Sequence, residues 1–345
     1  MHAIDDEPFD AAAVEAGAWP PPYGVGDELG TYGEVTAHKR AAALAMLVAA
    51  GSGAGAGGVR AFNLGETLFE GYPAFGSRTY SLEVHGSGFA STEHAETERS
   101  RPWGPNRLTS LEERVSFSFN LGAKINGLAH CGVGDLLYGG RSLAALVGGG
   151  SRALDTTTFG PPLVTRGLLF DVLGYYVAQG RHDAISHTAE GQALVRDDHR
   201  ITVEDLEACA AWAGIGEIEA GDAVLLRTGW RRLLRTEPQR YLGANPGVFL
   251  RETRWLAQFR PALVGADTWC FETIDPAVTG PLVSPCHQEL FVRFGIRLGE
   301  SLALDELADA GVTQFVFCHA PLPAAGAISS NAPAIALAPE LPFRP

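Results

Sequence analysis

The chain has 345 residues, 46% of them hydrophobic, with 42 glycines, 21 prolines and a mean hydropathy near zero, which is the profile of a soluble globular protein able to bury a large core. Its net charge is −14, from 26 basic and 40 acidic residues with no Lys/Arg-rich run, and this argues against nucleic acid or an anionic membrane as partner. The acidic start MHAIDDEPFD lacks the features of a secretory signal, and the apolar run at 41–50 is about half a bilayer crossing. Five widely spaced cysteines (Cys131, Cys209, Cys270, Cys286, Cys318) form no C-x-x-C pair and read as reduced thiols of a cytoplasmic protein.

In chain order, residues 1–35 are acidic and rich in Ala, Gly and Pro, predicting an irregular arm packed over the domain or a neighbouring subunit. Thr36 is placed to cap a helix over 37–50, stopped by GSGAGAGG. An extended region begins near Phe62, and residues 80–85 alternate as a strand does. Residues 86–110 are polar and turn-rich, a long loop or flap. A strand with Val115, Phe117, Phe119 and Leu121 on one face leads into a glycine-punctuated loop that runs to 135. The apolar run 167–173 suits a buried strand, and residues 177–200 read as a surface insertion.

From there helices and strands alternate. Thr202 and Asp205 form a capping-box pattern for a helix ending at Gly214. Strands are predicted over 223–228, 262–266 and 313–318, and helices over 247–259, 286–294 and 304–310. Residues beyond Pro321 read as irregular, with a C-terminal tail at 326–345. No fixed-period repeat or long linker breaks the chain, so one compact α/β domain over 36–325 is expected.

Residues 116–135 (SFSFNLGAKINGLAHCGVGD) present Asn120, Lys124, Asn126 and His130. Only Lys39 and Lys124 among the 26 basic residues are lysine, so one of the two falls in this stretch. His130 titrates near neutrality when unperturbed and suits proton transfer; a structural histidine bonded to backbone is the plainer reading.

The stretch resembles the signature of the cyclase family, the kynurenine-formamidase-like metal hydrolases. Its pattern is His-x-x-x-His-x-Asp-x-x-x-His, with the first two His and the Asp as metal ligands and the last His as acid/base. The matching positions here are Asn120, Lys124, Asn126 and His130: the base is present and the ligands are not. Further blocks follow in family order over roughly 25–325, among them Phe62-Asn-Leu-Gly-Glu, Gly221-Asp-Ala-Val-Leu-Leu-Arg-Thr-Gly-Trp, Leu263-Val-Gly-Ala-Asp-Thr-Trp and His287-Gln-Glu-Leu. The resemblance implies a swivelling β/β/α-type fold, a homo-oligomer (dimer or tetramer) with active sites near subunit contacts, and a second ligand pair matched by His287 and Glu300.

Asn120 and Asn126 offer only neutral carbonyl oxygens, and a protonated Lys124 offers no lone pair. No metal is therefore expected. If Zn or Mn binds, His287 and Glu300 are its ligands, helped by a neutral lysine or Cys131. Alternatively Lys124 takes the place of the metal, pairs with Glu300 and acts as electrophile, or the loop has decayed and Lys124 lies in solvent. His287 is either an anchor for Glu300 or directly catalytic.

Weaker candidates are Cys131 as a nucleophile beside His130, Asp267 and Trp269 as pocket lining, and Tyr72, Phe75 and Trp103 as aromatic walls. His182, His187 and His199 are expected to be exposed. No P-loop, dinucleotide fingerprint or serine-hydrolase elbow occurs. Three functions are consistent with this sequence. The first is a metal-independent enzyme that cyclises, dehydrates or isomerises a small, biosynthetic substrate through His130 and Lys124, with Asn120 and Asn126 as polar support. The others are a Zn/Mn hydrolase of a formamide, cyclic amide or lactone, and a non-catalytic binding protein.

Overall fold

Nine strands form one curled mixed sheet in the computed structural model, which describes residues 3–50, 58–86, 105–108, 110–146 and 149–340. Across the sheet the order is Val59–Asn63, Ile335–Pro339, Gln314–His319, Leu163–Asp171, Ala223–Arg227, Leu263–Ala266, Arg297–Glu300, Lys124–Asn126 and Ser329–Ser330. The four strands from Leu163–Asp171 to Arg297–Glu300 are parallel, and the flanking strands are antiparallel.

Continuous apolar runs such as AVLLR in Ala223–Arg227 bury every residue, because parallel strands are covered on both faces. Alternation divides them between two cores. Leu168, Phe170, Val224, Leu226, Val264 and Leu298 face one; Leu169, Leu225, Leu263, Phe315 and Phe317 face the other.

The helix Ala37–Ala50 starts where Thr36 Oγ1 accepts from the Lys39 amide at 3.1 Å. The helix Val203–Ala213 has the full capping box of Thr202 and Asp205 and ends at Gly214 with φ 65°, a left-handed turn that glycine adopts without steric cost. The helix at Leu250–Ala257 is shorter than predicted. The one expected over 286–294 is a turn, Pro285–Gln288, followed by a π-helical segment, Glu289–Phe294.

Four expectations are corrected. The strand preceding the motif spans Leu111–Phe117, where it pairs with Tyr80–Gly86 in a separate hairpin. Phe119 and Leu121 lie beyond it in turns. The region past Pro321 is not irregular, because Ser329–Ser330 and Ile335–Pro339 complete the sheet. Residues 177–200 are anchored rather than superficial: Leu194 and Val195 are fully buried, and the His199 ring lies 3.0 Å from the Tyr176 hydroxyl, while His182 and His187 are exposed. Along the arm, residues 11–18 are helical, Val14 is buried, and Asp6 pairs with Arg200. Trp103, residues 51–57 and most of the expected 86–110 flap lie outside the described residues. Among the described residues no helix is long and apolar enough to cross a membrane.

Candidate active site

The motif residues do not all ride on a loop: Asn120 and His130 lie in turns or bends, but the two between them do not. Lys124–Asn126 is a buried strand in the sheet, paired antiparallel with Arg297–Glu300 so that Lys124 lies opposite Glu300 and Asn126 opposite Leu298. Side chains alternate along a strand. Ile125 therefore enters one core, and Lys124 and Asn126 share the opposite face with Glu300. That carboxylate ends a parallel strand, and the 267–273 loop follows the end of its neighbour, so the site sits at the carboxyl edge of the sheet, where open α/β sheets form clefts.

Glu300 is the hub. Its Oε2 lies 3.0 Å from Lys124 Nζ and accepts from Asn126 Nδ2 at 3.0 Å. Its Oε1 accepts from the Phe271 amide at 3.3 Å and lies 3.1 Å from His287 Nε2. Burial opposes ionisation of this carboxyl, but the Lys124 ammonium and then His287 outweigh it and hold Glu300 far below the usual carboxylate range. On the far side of His287, Nδ1 lies 2.5 Å from Glu272 Oε1. Burial disfavours a charged imidazole, yet its bonds to Glu272 and Glu300 raise its pKa well above 6.5. Glu272 also accepts the amides of Cys286 and His287 at 3.0 and 3.3 Å, at a helix start where backbone N–H groups favour an anion. Two cations, Lys124 and His287, thus balance two carboxylates, Glu272 and Glu300.

His130 stands beside this network without joining it. Its ring centroid is 6.3 Å from that of His287 and 5.8 Å, edge-on, from Phe291. It is only half-buried. Burial, then the charge of His287, lowers its pKa to about 3, with Lys124 and Arg78 adding to the effect and Glu300 opposing it. His130 is accordingly neutral at physiological pH. The Cys131 thiol is pushed up, chiefly by burial, which is unfavourable for a nucleophile.

Cys270, His287 and Glu300 each direct one donor atom within 4.8 Å of the others. As arranged, this set does not fit a divalent ion. Both Glu300 oxygens take hydrogen-bond donors, both His287 nitrogens face carboxylates, and an ammonium lies 3.0 Å from Glu300. Burial also raises the Cys270 thiol well above its ordinary pKa, away from the thiolate that binds metal.

Lys124 also lines a small cleft with Tyr72, Phe75, Arg78, Asn120, Tyr241, Trp269 and Ser301. Phe75 and Trp269 form one wall, their ring centroids 4.4 Å apart. Of the candidates, Lys124, Asn126, His287 and Glu300 are therefore bonded together and His130 is adjacent, whereas Asn120 faces the cleft apart from the network. Asp267 is not lining; it accepts from Thr228 and Gly229, and burial raises its pKa to about 6. Three participants carried no signal in sequence: Glu272, Arg78 and Ser329, whose hydroxyl donates to Asn126 Oδ1 at 3.0 Å. An acidic residue ahead of Pro276 resembles ordinary turn chemistry, and an Arg in a Gly-Ser-Arg-Thr turn resembles ordinary surface.

The cyclase family model matches residues 62–273. Among solved structures, one described as a novel cyclase superposes with a TM-score of 0.72 at 21% identity, covering 90% of this chain and 94% of that one. Isatin hydrolase A from Ralstonia solanacearum follows at 0.57 and 20% identity, covering 86% and 97%. Isatin hydrolase A from Labrenzia aggregata, bound to benzyl benzoate, gives 0.56 and 19%, covering 86% and 99%. These likenesses establish a shared mixed α/β fold. No curated protein sequence matches the chain.

Proposed function

The chain belongs to the cyclase family, and from that premise we propose that it is an enzyme that acts on a small organic molecule by proton transfer, with Lys124 in the electrostatic role that a metal has elsewhere. The observation that carries this reading is the Lys124–Glu300 pair: an ammonium fixed at 3.0 Å by a buried carboxylate, on the wall of the cleft.

A preorganised cation of this kind stabilises an oxygen that gains negative charge, and because it is already oriented it needs no rearrangement as the reaction proceeds. In this reading Lys124 donates a hydrogen bond to a substrate carbonyl as it becomes an enolate or oxyanion. His130, neutral at rest, takes the proton at a ring nitrogen. The cations that depress its pKa favour prompt return of that proton, and a nearby substrate anion raises its basicity while bound. Glu272 and Glu300 hold His287 between them, fixing the field around both groups. Asn126 completes the Glu300 shell, and Asn120 orients substrate from the wall. Cyclisation, dehydration and isomerisation all fit such a pair. A homo-oligomer and a small-molecule partner are part of the same proposal.

A second reading, Zn- or Mn-dependent hydrolysis of a formamide, cyclic amide or lactone, draws on the isatin hydrolase likeness and the convergence of Cys270, His287 and Glu300. One experiment separates the two. Protein purified without added metal is analysed for bound elements, then screened against isatin, N-formyl aromatic amines and acyclic keto acids, with and without chelator. The proposal expects substoichiometric metal, chelator-resistant turnover, and losses of roughly 10²-fold or more in Lys124→Met and in His130→Ala. Turnover that a chelator abolishes and Zn or Mn restores would refute it.

A further inference from the structure

We propose that residues 72–75 form a lid over the cleft, hinged at Gly71 and Gly76 and latched by Phe75 against Trp269, and that this lid lifts before a substrate reaches Lys124. The inference rests on the cleft being the reaction site, as proposed above.

Volume is the first argument. The cleft measures about 20 Å³, room for one water and for no organic molecule. Lys124 is only 4% exposed, so a molecule of substrate size reaches its ammonium only after part of the lining moves. Much of that lining is tied down. Asn331 donates to the Leu121 and Ala123 carbonyls, the Tyr241 hydroxyl lies 2.9 Å from Ser301 Oγ, and Lys124 pairs with Glu300. Residues 72–75 are not tied in this way, although all four line the cleft. Among the described residues their backbone hydrogen bonds are local, from the Tyr72 amide to the Phe69 carbonyl at 3.1 Å and from the Arg78 amide to the Phe75 carbonyl at 3.3 Å. The one polar side chain in the span, Tyr72, has its hydroxyl near that of Tyr241 but without hydrogen-bonding geometry.

The span also has a hinge at each end. Gly71 and Gly76 have φ of 79° and 60°, and a Cβ built on either meets nothing within 4 Å, so neither turn is held by packing and neither bears a side-chain penalty. Between them Pro73 fixes one φ and stiffens the span, which therefore moves as a unit. Ring contacts hold it shut: Phe75 lies 4.4 Å from Trp269, centroid to centroid, and Tyr72 packs into the apolar cluster with Leu121 and Tyr241. Phe75 is nevertheless 37% exposed, so the latch sits at the surface. Closure leaves three buried polar atoms of the lining without partners, the Tyr72 hydroxyl, Asn120 Oδ1 and Trp269 Nε1. Buried polar atoms rarely stay unpaired, and lifting the lid opens all three to solvent. A closed state held by a few ring contacts and opposed by unpaired groups is the kind of element that switches between two positions.

The chain supplies its own probe, because Lys39 and Lys124 are its only lysines. The intact protein is treated with N-hydroxysuccinimidyl acetate, and acetylation at each lysine is followed by peptide mass spectrometry. Phe75→Ala removes the latch and Gly76→Ala strains the closed hinge; each should speed acetylation of Lys124 by roughly tenfold and leave Lys39 unchanged. Gly311→Ala places the same strain at φ 67°, in an open turn outside the lining, and should change neither rate. Unchanged Lys124 reactivity in both lid variants, or a rise that Lys39 or Gly311→Ala shares, would overturn the proposal. The labelling needs no turnover, so its failure and that of the proposed function are separable. Chelator-resistant turnover that depends on Lys124, with labelling indifferent to the lid variants, removes only the lid; chelator-sensitive turnover with lid-dependent labelling removes only the metal-free reaction.

Discussion

Lys124→Met keeps the length and apolar stem of the side chain and deletes only the ammonium, so its effect on stability measures the charge pair directly. Both partners are 4% exposed and 3.0 Å apart. Removing one member of a buried pair costs about 3–5 kcal/mol, because the other charge is stranded. Glu300 retains Asn126, the Phe271 amide and His287, which places the expected loss at the lower end, about 3 kcal/mol. With an unfolding entropy of about 2.1 cal/mol/K per residue, that is a fall in Tm of about 4 °C for a chain of this length.

The pH dependence has a definite sign. Glu300 is held below its unfolded pKa, so its contribution is complete above about pH 4.5 and is lost as pH falls toward the folded value. Without Lys124 the folded value rises and the contribution shrinks. The gap between wild type and variant should therefore be widest near neutrality and narrow below about pH 4.5. Urea denaturation followed by circular dichroism at several pH values reads both quantities. A variant as stable as wild type at pH 7, or a gap that does not change on acidification, would refute the assignment of Lys124 as the charge that holds Glu300.

Two other substitutions probe the walls of the site. Gly127→Ala places a Cβ 2.6 Å from the Phe159 ring and 2.7 Å from the Ile328 carbonyl oxygen, and it should cost about 2–3 kcal/mol by overpacking, read as a lower urea midpoint with the fold retained. Ser329→Ala leaves the buried Asn126 Oδ1 without its donor and should cost about 1–2 kcal/mol; a midpoint equal to wild type would mean that the serine does not orient the amide.

The elements that sequence resolves are those whose signals are local. Thr202, Asp205 and Gly214 mark both ends of one helix within thirteen residues, and the AVLLR run marks a strand buried on both faces. The site is less legible because its contacts are distant in the chain. Lys124–Asn126 is three residues long between glycines, too short for alternation to register, and only its pairing with Arg297–Glu300 makes it a strand. His287 and Glu300 were found through family blocks and His130 and Lys124 through motif positions, not through periodicity. Glu272, Arg78 and Ser329 occupy turns or short edges, where an acid, an Arg or a Ser signals nothing until the partner is in place.

The sheet joins the beginning of the chain to its end: Val59–Asn63 lies against Ile335–Pro339, and Lys124–Asn126 against Ser329–Ser330. On a ribosome the strands that flank these gaps emerge first and wait. Until Ser329–Ser330 and Ile335–Pro339 are synthesised, Gln314–His319 and Lys124–Asn126 each present an unpaired backbone edge, the kind of surface that recruits foreign strands. Closing loops of this span is slow compared with forming local helices. A chain that stopped before Ser329 would lack the outer neighbour of its motif strand, so competence of the site waits on a segment far downstream of the motif.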